Sequence, residues 1–526
     1  MGVIFRFTNL AQKPYWEDET LSALRVNGYQ VSEIYIQSLR DKIVNRDDLL
    51  QLQKPAPDKN LTETISALAT HPEHAPLDYL LLRSWVIKVS ISVWSMRCLS
   101  ALISLLVFPA LYWLCLELFD SALVGRMAIA LTAISPLWIR YAQEVREYSL
   151  WGVMIVVCSA ALLRAFKLNR WYLWLLYSLT LSLSLYTHIL SVLVLIAHGF
   201  YVLIIDRNMF NKYLSALLGS LIFFSPWLGI FIYQYQSTKS FASWLNQPVS
   251  LSILGKLWGL NLSRMFLSWS PEYNSFLVYL ALPILVLIIY ALYFLKQTTP
   301  IKTWLFIYSL IGVNSLTFLV KDLVFGGQYS RIPQYFFPCY VGLVISIAYL
   351  FTNKLTTVQN KVWQVAISLI LSSSIFSSGF NAQADTWWGW SEFDVYSAKI
   401  INQVSEPLVI SDGRLTTLLP LAHQVDSETK FMWIKQFSAL NINSGEQTIF
   451  IYNPSENLLS YLQEELELEL DLIYQFTDMS LKVNLYKVKR NFKPIGFSFD
   501  RDRGNCANIK LGETEKKMSR STITVS

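Results

Sequence analysis

The sequence predicts a mainly α, polytopic helical membrane protein with a small C-terminal extracytoplasmic α/β domain. Three observations predict it. First, hydrophobic residues make up 53% of the 526-residue chain and charged residues only 15%, with a mean hydropathy of +0.37. Second, continuous apolar runs at 276–295, 172–185 and 335–351 approach the roughly 20 residues that carry a helix across a bilayer. The runs do not alternate, so a closed barrel, the other way to satisfy a backbone in lipid, is excluded. Third, composition shifts beyond residue 380 to short strand-like runs among polar segments.

The spans are read at about 92–118, 122–139, 148–166, 172–187, 189–205, 213–235, 275–296, 302–324, 334–352 and 361–380, which gives 10–11 spans if an apparently truncated first one is counted. Basic residues recur in alternate short loops: Arg164, Lys167 and Arg170; Arg207 and Lys212; Lys296 and Lys302; Lys354 and Lys361. By the positive-inside rule those loops are cytoplasmic. The segments near 13–91, 140–147, 236–274 and 325–333, and everything after 380, then face outward. The formal charge of +6 is distributed over these loops, so it signals orientation and no nucleic-acid partner. Of the five cysteines, four lie in or beside apolar spans, and with no CxxC pair they read as buried thiols.

Val3 to Leu10 is apolar but too short to cross, and it lacks the features of a signal peptide. The expectation is that a first helix is truncated or that this stretch lies against the membrane. The first external segment carries a short amphipathic helix near 20–29, a polar, loop-like region at 40–73, and an interfacial helix near 77–89. Trp244, Trp258 and Trp269 place interface chemistry in the 236–274 loop. The domain at 381–490 shows strands near 408–411, 448–452 and 481–488, with helices near 395–404 and 457–466. The acid-rich 464–471 stretch reads as a solvated face. Residues 491–526 read as a disordered tail.

Chemistry concentrates on one side of the membrane. An acidic triplet, Glu17-Asp18-Glu19, follows Tyr15-Trp16 at the interface. Its plain alternative is that Asp18 caps a helix starting near Thr20. The same side gathers His74, Arg97, Glu144, Arg146, His188 and Arg331, and ionisable residues near spans are functional candidates. Arg97 also reads as a snorkelling side chain, and His188 as a polar turn residue. A lipid-linked phosphate leaving group needs cations, which Arg97, Arg146 or Arg331 would supply. A hydroxyl or amine nucleophile needs a base, Asp18 or Glu19. A divalent metal ion, if one is used, would sit on Glu19 and Glu144 with His74.

Trp16-Glu17-Asp18-Glu19-Thr20, His74-Ala75-Pro76-Leu77-Asp78-Tyr79, Ser135-Pro136 with Tyr141-Ala142-Gln143-Glu144-Val145-Arg146-Glu147-Tyr148, Tyr186-Thr187-His188, and the Arg331 to Pro338 segment recur in order over about residues 1–350. Together they resemble W-x-D-E-[AT], H-P-P-L-Y-Y, S-P…Y-S-Q-E-A-R-x-Y, L-Y-x-H and R-x-x-x-Y-x-x-P of bacterial membrane glycosyltransferases related to protein O-mannosyltransferases (glycosyltransferase family 39, GT-C fold). The resemblance implies transfer of a sugar, with inversion, from a polyprenyl-phosphate donor to a lipid, glycan or protein acceptor outside the cytoplasm. It makes Asp18 the expected base. Glu19, Glu144 and His74 are expected to shape the acceptor or metal region, and Arg146 and Arg331 the donor phosphate. Tyr148, His188, Arg97 and Tyr335 complete the expected substrate-binding set. Ala75 and Asp78 depart from the family's proline and aromatic. The rival readings are a flippase or transporter of a lipid-linked saccharide, which calls for broken helices in paired halves, and a non-catalytic scaffold.

Overall fold

The computed structural model describes residues 1–30, 39–235, 243–268, 276–356, 361–388, 391–440, 447–478 and 481–489. The expected tail at 491–526, with Cys506, and Trp269 lie outside them.

The helices in chain order are α1 (Gly2–Phe7), α2 (Glu17–Val26), α3 (Arg46–Gln51), α4 (Leu61–Ala69), α5 (Pro76–Lys88), α6 (Val93–Leu105), α7 (Val107–Phe119), α8 (Ala122–Ile134), α9 (Pro136–Ala142), α10 (Tyr148–Leu168), α11 (Trp171–Thr187), α12 (Ser191–Ile205), α13 (Arg207–Tyr233) and α14 (Leu251–Ser263). There follow α15 (Ala281–Thr298), α16 (Ile301–Phe325), α17 (Phe337–Thr356), α18 (Lys361–Gln383), α19 (Glu392–Ile401), α20 (Leu415–Gln424) and α21 (Glu456–Ser460). Among the described residues, seven helices are long and apolar enough to cross a membrane, α6 and α7 running together as one of them. The bent pair α8–α9 makes an eighth. The 17-residue α11 and the 15-residue α12 occupy the two remaining expected spans. Spans α10 and α17 are 83% buried and form the centre of the bundle, whereas α13, 22% buried, turns most of its surface outward.

One expected span is not straight. The chain bends by 66° between α8 and α9. Pro136 causes it, because a proline pushes the preceding residue out of the helical region, and Ser135 sits at φ −68°, ψ 122°. The break leaves carbonyls at the end of α8 without helical partners, and α1 supplies them. Arg6, fully buried, donates from Nη1 to the Ala133 carbonyl at 2.8 Å and from Nη2 to the Thr132 carbonyl at 3.1 Å. Gly2 packs so close to the Ala133 carbonyl that a β-carbon would collide with it. The short N-terminal stretch is therefore a helix wedged into the bundle, its arginine acting as a C-cap for α8.

The α/β unit corrects the expected boundary. Its strands are β1 (Ile43–Asn45), β2 (Leu408–Ser411), β3 (Lys430–Trp433), β4 (Ile449–Tyr452), β5 (Leu470–Asp478) and β6 (Leu481–Val488), in the sheet order β1-β3-β2-β4-β6-β5. The first external segment thus donates an edge strand, with Ile43 opposite Met432 antiparallel to β3. The region at 40–73 is not a loop, because it holds β1, α3 and α4. Part of the acid-rich stretch enters β5. Strand β2 pairs in parallel with both β3 and β4 and is buried throughout, as central parallel strands are. One face of the sheet buries Val409, Phe431 and Phe450 against Leu24 of α2, Leu49 of α3 and Leu418 of α20. The other buries Ile410, Met432 and Ile451 against Leu458 and Leu462. Helix α2, which carries the acidic triplet, is thus clamped between the sheet and the bundle.

Candidate functional site

Three consecutive acids meet three environments. Helix α2 begins at Glu17, after Trp16, so Asp18 stands inside the first turn and is not a cap. Glu17 accepts a hydrogen bond from the Thr416 hydroxyl of α20 at 2.8 Å, which pins the α/β unit to α2. Glu19 is fully buried and faces Arg97, with Nε to Oε1 at 2.8 Å and Nη2 to Oε2 at 2.5 Å. Its Oε1 also accepts the Val145 amide at 2.8 Å. Asp18 keeps its side chain 35% exposed, and its one ion pair among the described residues, to Arg146 Nη2, is long at 3.8 Å.

The loop between α9 and α10 supplies the opposing wall. Residues 143–147 are all buried, although three of the five are charged. Arg146 donates from Nη1 to the Tyr79 hydroxyl at 3.1 Å and lies 3.4 Å from Glu147 Oε1. Its Nε has no hydrogen-bond partner. Glu147 also meets His74 Nδ1 at 3.1 Å and accepts the Tyr79 hydroxyl at 3.3 Å. Burial works to raise the Glu147 carboxyl, but Arg146 and the His74 hydrogen bond hold it well below its ordinary range. Burial, then the charges of Arg25 and Arg146, lower His74, so the imidazole is neutral near pH 7. Tyr148 lies under the Arg146 guanidinium, 5.5 Å from ring centre to Cζ. Tyr335, half-buried and stacked on Phe318 at 5.5 Å, is within electrostatic reach of Asp18 and Arg146. Asp18, His74, Arg146, Tyr148 and Tyr335 are therefore brought to one place, with Glu147 and Tyr79 between them.

Other expected residues stand elsewhere or are otherwise engaged. Arg97 uses all five of its N–H groups: two reach Glu19, two the carbonyls of Leu10 and Lys13, and one that of Pro14. None is left for a phosphate, so Arg97 is corrected to a structural tie between α6 and the segment leading into α2. Glu19 is corrected with it, from supporting carboxylate to buried partner. His188 stacks on Trp151 at 4.3 Å and accepts the Leu190 amide on Nδ1 at 3.1 Å, as a turn residue does. Arg331 donates to Gln328 Oε1 at 2.6 Å and covers the Trp244 ring.

The expected metal pair does not fit a cation. Glu19 faces Arg97, and Glu144 Oε1 meets Arg140 Nη2 at 2.8 Å. A cation between these carboxylates would stand against two guanidiniums. Among the described residues, no three His, Cys, Asp or Glu side chains converge to hold a metal ion.

Reading along the sequence missed several residues. Glu147 lies in the Tyr141–Tyr148 segment, in which the sequence singles out Glu144 instead. The Arg140–Glu144 pair has helical i,i+4 spacing, which was legible. Arg264 and Arg140 cover Trp388 at 4.2 and 4.4 Å, a stacking that nothing in the sequence announced. Arg25, on the last turn of α2, is not singled out by the sequence.

Glu144 titrates in an accessible range. Burial pushes its carboxyl up to about 7 from 4.5, against Arg140 and with Glu19 adding to the rise. Between those values the folded chain holds a proton that the unfolded chain has released. The stabilisation is therefore full below pH 4.5 and is lost as pH rises through about 7. At about 1.4 kcal/mol per unit, the contribution is on the order of 3 kcal/mol. Replacing Glu144 by Gln is expected to flatten this fall. Thermal unfolding of both proteins from about pH 5 to 8 checks it, and a pH-independent difference would refute it.

Neither a family model nor a curated protein matches the chain. Among solved structures, ArnT from Cupriavidus metallidurans bound to undecaprenyl phosphate is 12% identical, covering 79% of this chain and 88% of that one, with a TM-score of 0.46. The apo state of the same protein gives 12% identity over 79% and 88%, with a TM-score of 0.45. The Archaeoglobus fulgidus oligosaccharyltransferase tethered to an acceptor peptide is 12% identical over 67% of this chain and 55% of that one, with a TM-score of 0.42.

Proposed function

We propose that the chain is an integral membrane glycosyltransferase of the GT-C type, related to glycosyltransferase family 39. It transfers a sugar with inversion from a polyprenyl-phosphate donor to a lipid, glycan or protein acceptor on the extracytoplasmic side. The observation that carries this reading is the partition of the triplet. Glu17 and Glu19 are held by Thr416 and Arg97, while Asp18 remains half-exposed beside a buried guanidinium. A base must reach its substrate, and a departing phosphate needs a cation.

Asp18 accepts the proton of the acceptor hydroxyl or amine. The acceptor atom attacks the anomeric carbon, the carbon–oxygen bond to phosphate breaks, and the phosphate departs with the electron pair. Arg146 stabilises the charge that develops there. Glu147 and Tyr79 hold Arg146 in place. Sidedness follows from the alternation of basic loops, and the α/β unit, pinned through Glu17, borders the path by which an acceptor arrives. A transporter built on inverted repeats needs broken helices in both halves. Among the described residues one bent pair is present.

The test is incubation of membranes containing the chain with radiolabelled polyprenyl-phosphate sugars. Label should leave the donor lipid and appear in a product fraction. Full retention of label in the donor, across a panel of sugars and with cell-envelope acceptors present, would end this reading.

A further inference from the structure

Each residue of the loop between α9 and α10 grips a different part of the protein. Glu144 meets Arg140 of α9, the Val145 amide meets Glu19 of α2, Arg146 meets Tyr79 of α5, and Glu147 meets His74. Gln143, which leads from α9 into the loop, is 3% exposed. Its Nε2 donates to the Phe5 carbonyl at 2.8 Å and to the Thr8 carbonyl at 2.9 Å, and its Oε1 accepts the Trp387 indole N–H at 3.0 Å. The two carbonyls stand at the end of α1, where a helix cannot satisfy its own acceptors.

Trp387, also buried, lies in the connection between α18 and α19, the tether by which the α/β unit follows the last span. Lys13 fixes the same tether, donating to the carbonyls of Asn381 and Ala384 at 2.6 Å and lying 5.1 Å over the Trp387 ring. One side-chain amide therefore joins α1, the tether and the loop that carries Arg146. The residue type suits that task. A neutral planar group with two N–H donors and one oxygen satisfies two carbonyls and an indole at once. A glutamate would set a carboxylate against two carbonyls, and a leucine would fill the space and bond to none of the three.

We propose that Gln143 is a positioning residue for Arg146, and that the tether of the α/β unit acts on the site through it. Residues 144–146 belong to no helix or strand, so the anchor at the entry of the loop sets the path of the chain to Arg146. The proposal rests on the glycosyltransferase reading above, in which Arg146 stabilises the departing phosphate. It makes the attachment of the α/β unit part of the frame that holds the reacting groups.

The experiment uses the purified full-length chain in detergent, with radiolabelled polyprenyl-phosphate sugars and cell-envelope acceptors. Q143E and Q143L should each lower kcat by about ten- to a hundredfold, the cost of a slightly misplaced reacting group. The KM for the donor should change far less, because the charge that Arg146 meets develops as the phosphate leaves. W387F keeps the ring that Lys13 covers and removes only its N–H donor, so it carries the test even if Q143L fails to fold. It should lower kcat by a smaller factor, and in the Q143L background by none, since the residue through which it acts is gone. Hydrogen exchange of ligand-free protein gives a second reading: the amides of residues 144–148 should exchange faster in Q143L and W387F, while those at the centre of α10 stay protected. If Gln143 only caps α1, the variants will melt lower and the folded protein will keep the wild-type kcat, which overturns the proposal. A W387F loss that multiplies in full with that of Q143L would overturn it too. If wild type itself transfers no sugar, it is the functional reading that fails, and exchange alone decides whether Gln143 holds the loop.

Discussion

Asp18→Asn is expected to lower the transfer rate by roughly 10²- to 10⁴-fold, the range a positioned general base contributes. The substitution keeps the shape of the side chain and removes its ability to take a proton. Stability should barely change. The Asp18 side chain is 35% exposed and its contact with Arg146 is 3.8 Å, and one acid fewer in the first turn of α2 costs under about 1 kcal/mol. The loss should fall on kcat, since binding of the donor phosphate does not use this carboxylate. Glu17→Gln is the control: glutamine still accepts the Thr416 hydroxyl, so the variant should keep most of its activity. Steady-state transfer by purified proteins gives kcat and KM for each. A variant at Asp18 that transfers at the wild-type rate would remove this base from the mechanism.

The spans were legible because lipid imposes long apolar runs, and a run of that kind reads the same in any tertiary context. The break at Ser135 was less legible: Pro136 marks a possible helix start, but only the packing of Arg6 onto the freed carbonyls shows that the chain turns there. Strand β1 was hidden. Three residues, Ile43–Asn45, carry almost no periodicity, and they are held by pairing with a strand from the far end of the chain. The acidic triplet was legible as a feature, whereas its internal division was not. Helical geometry points three consecutive side chains in three directions, and that Glu19 meets Arg97 depends on a helix 78 residues away. The same limit separated the arginines. Arg97 and Arg146 look alike as charges near spans, yet one is saturated by backbone carbonyls and the other keeps a free donor.

Arg97→Ala is expected to destabilise the protein by about 3–5 kcal/mol, the range for removing one partner of a buried pair. Glu19 would be left as a charge with no exposure, and the carbonyls of Leu10, Lys13 and Pro14 would lose their donors. Arg97→Lys should recover little, because one ammonium with three donors cannot reach both carboxylate oxygens and three carbonyls. Glu19→Ala should cost a similar amount by the converse route. The double variant should cost clearly less than the sum of the two singles, because each single leaves an uncompensated charge and the double leaves none. Thermal unfolding of ligand-free protein reads these differences, as apparent melting temperatures at one scan rate. Donor affinity gives the opposing outcome. If Arg97 were a phosphate ligand, its alanine variant would melt like wild type and bind polyprenyl phosphate weakly. A melting temperature that collapses without ligand instead places Arg97 in the frame that holds α2, and with it Asp18, against the bundle.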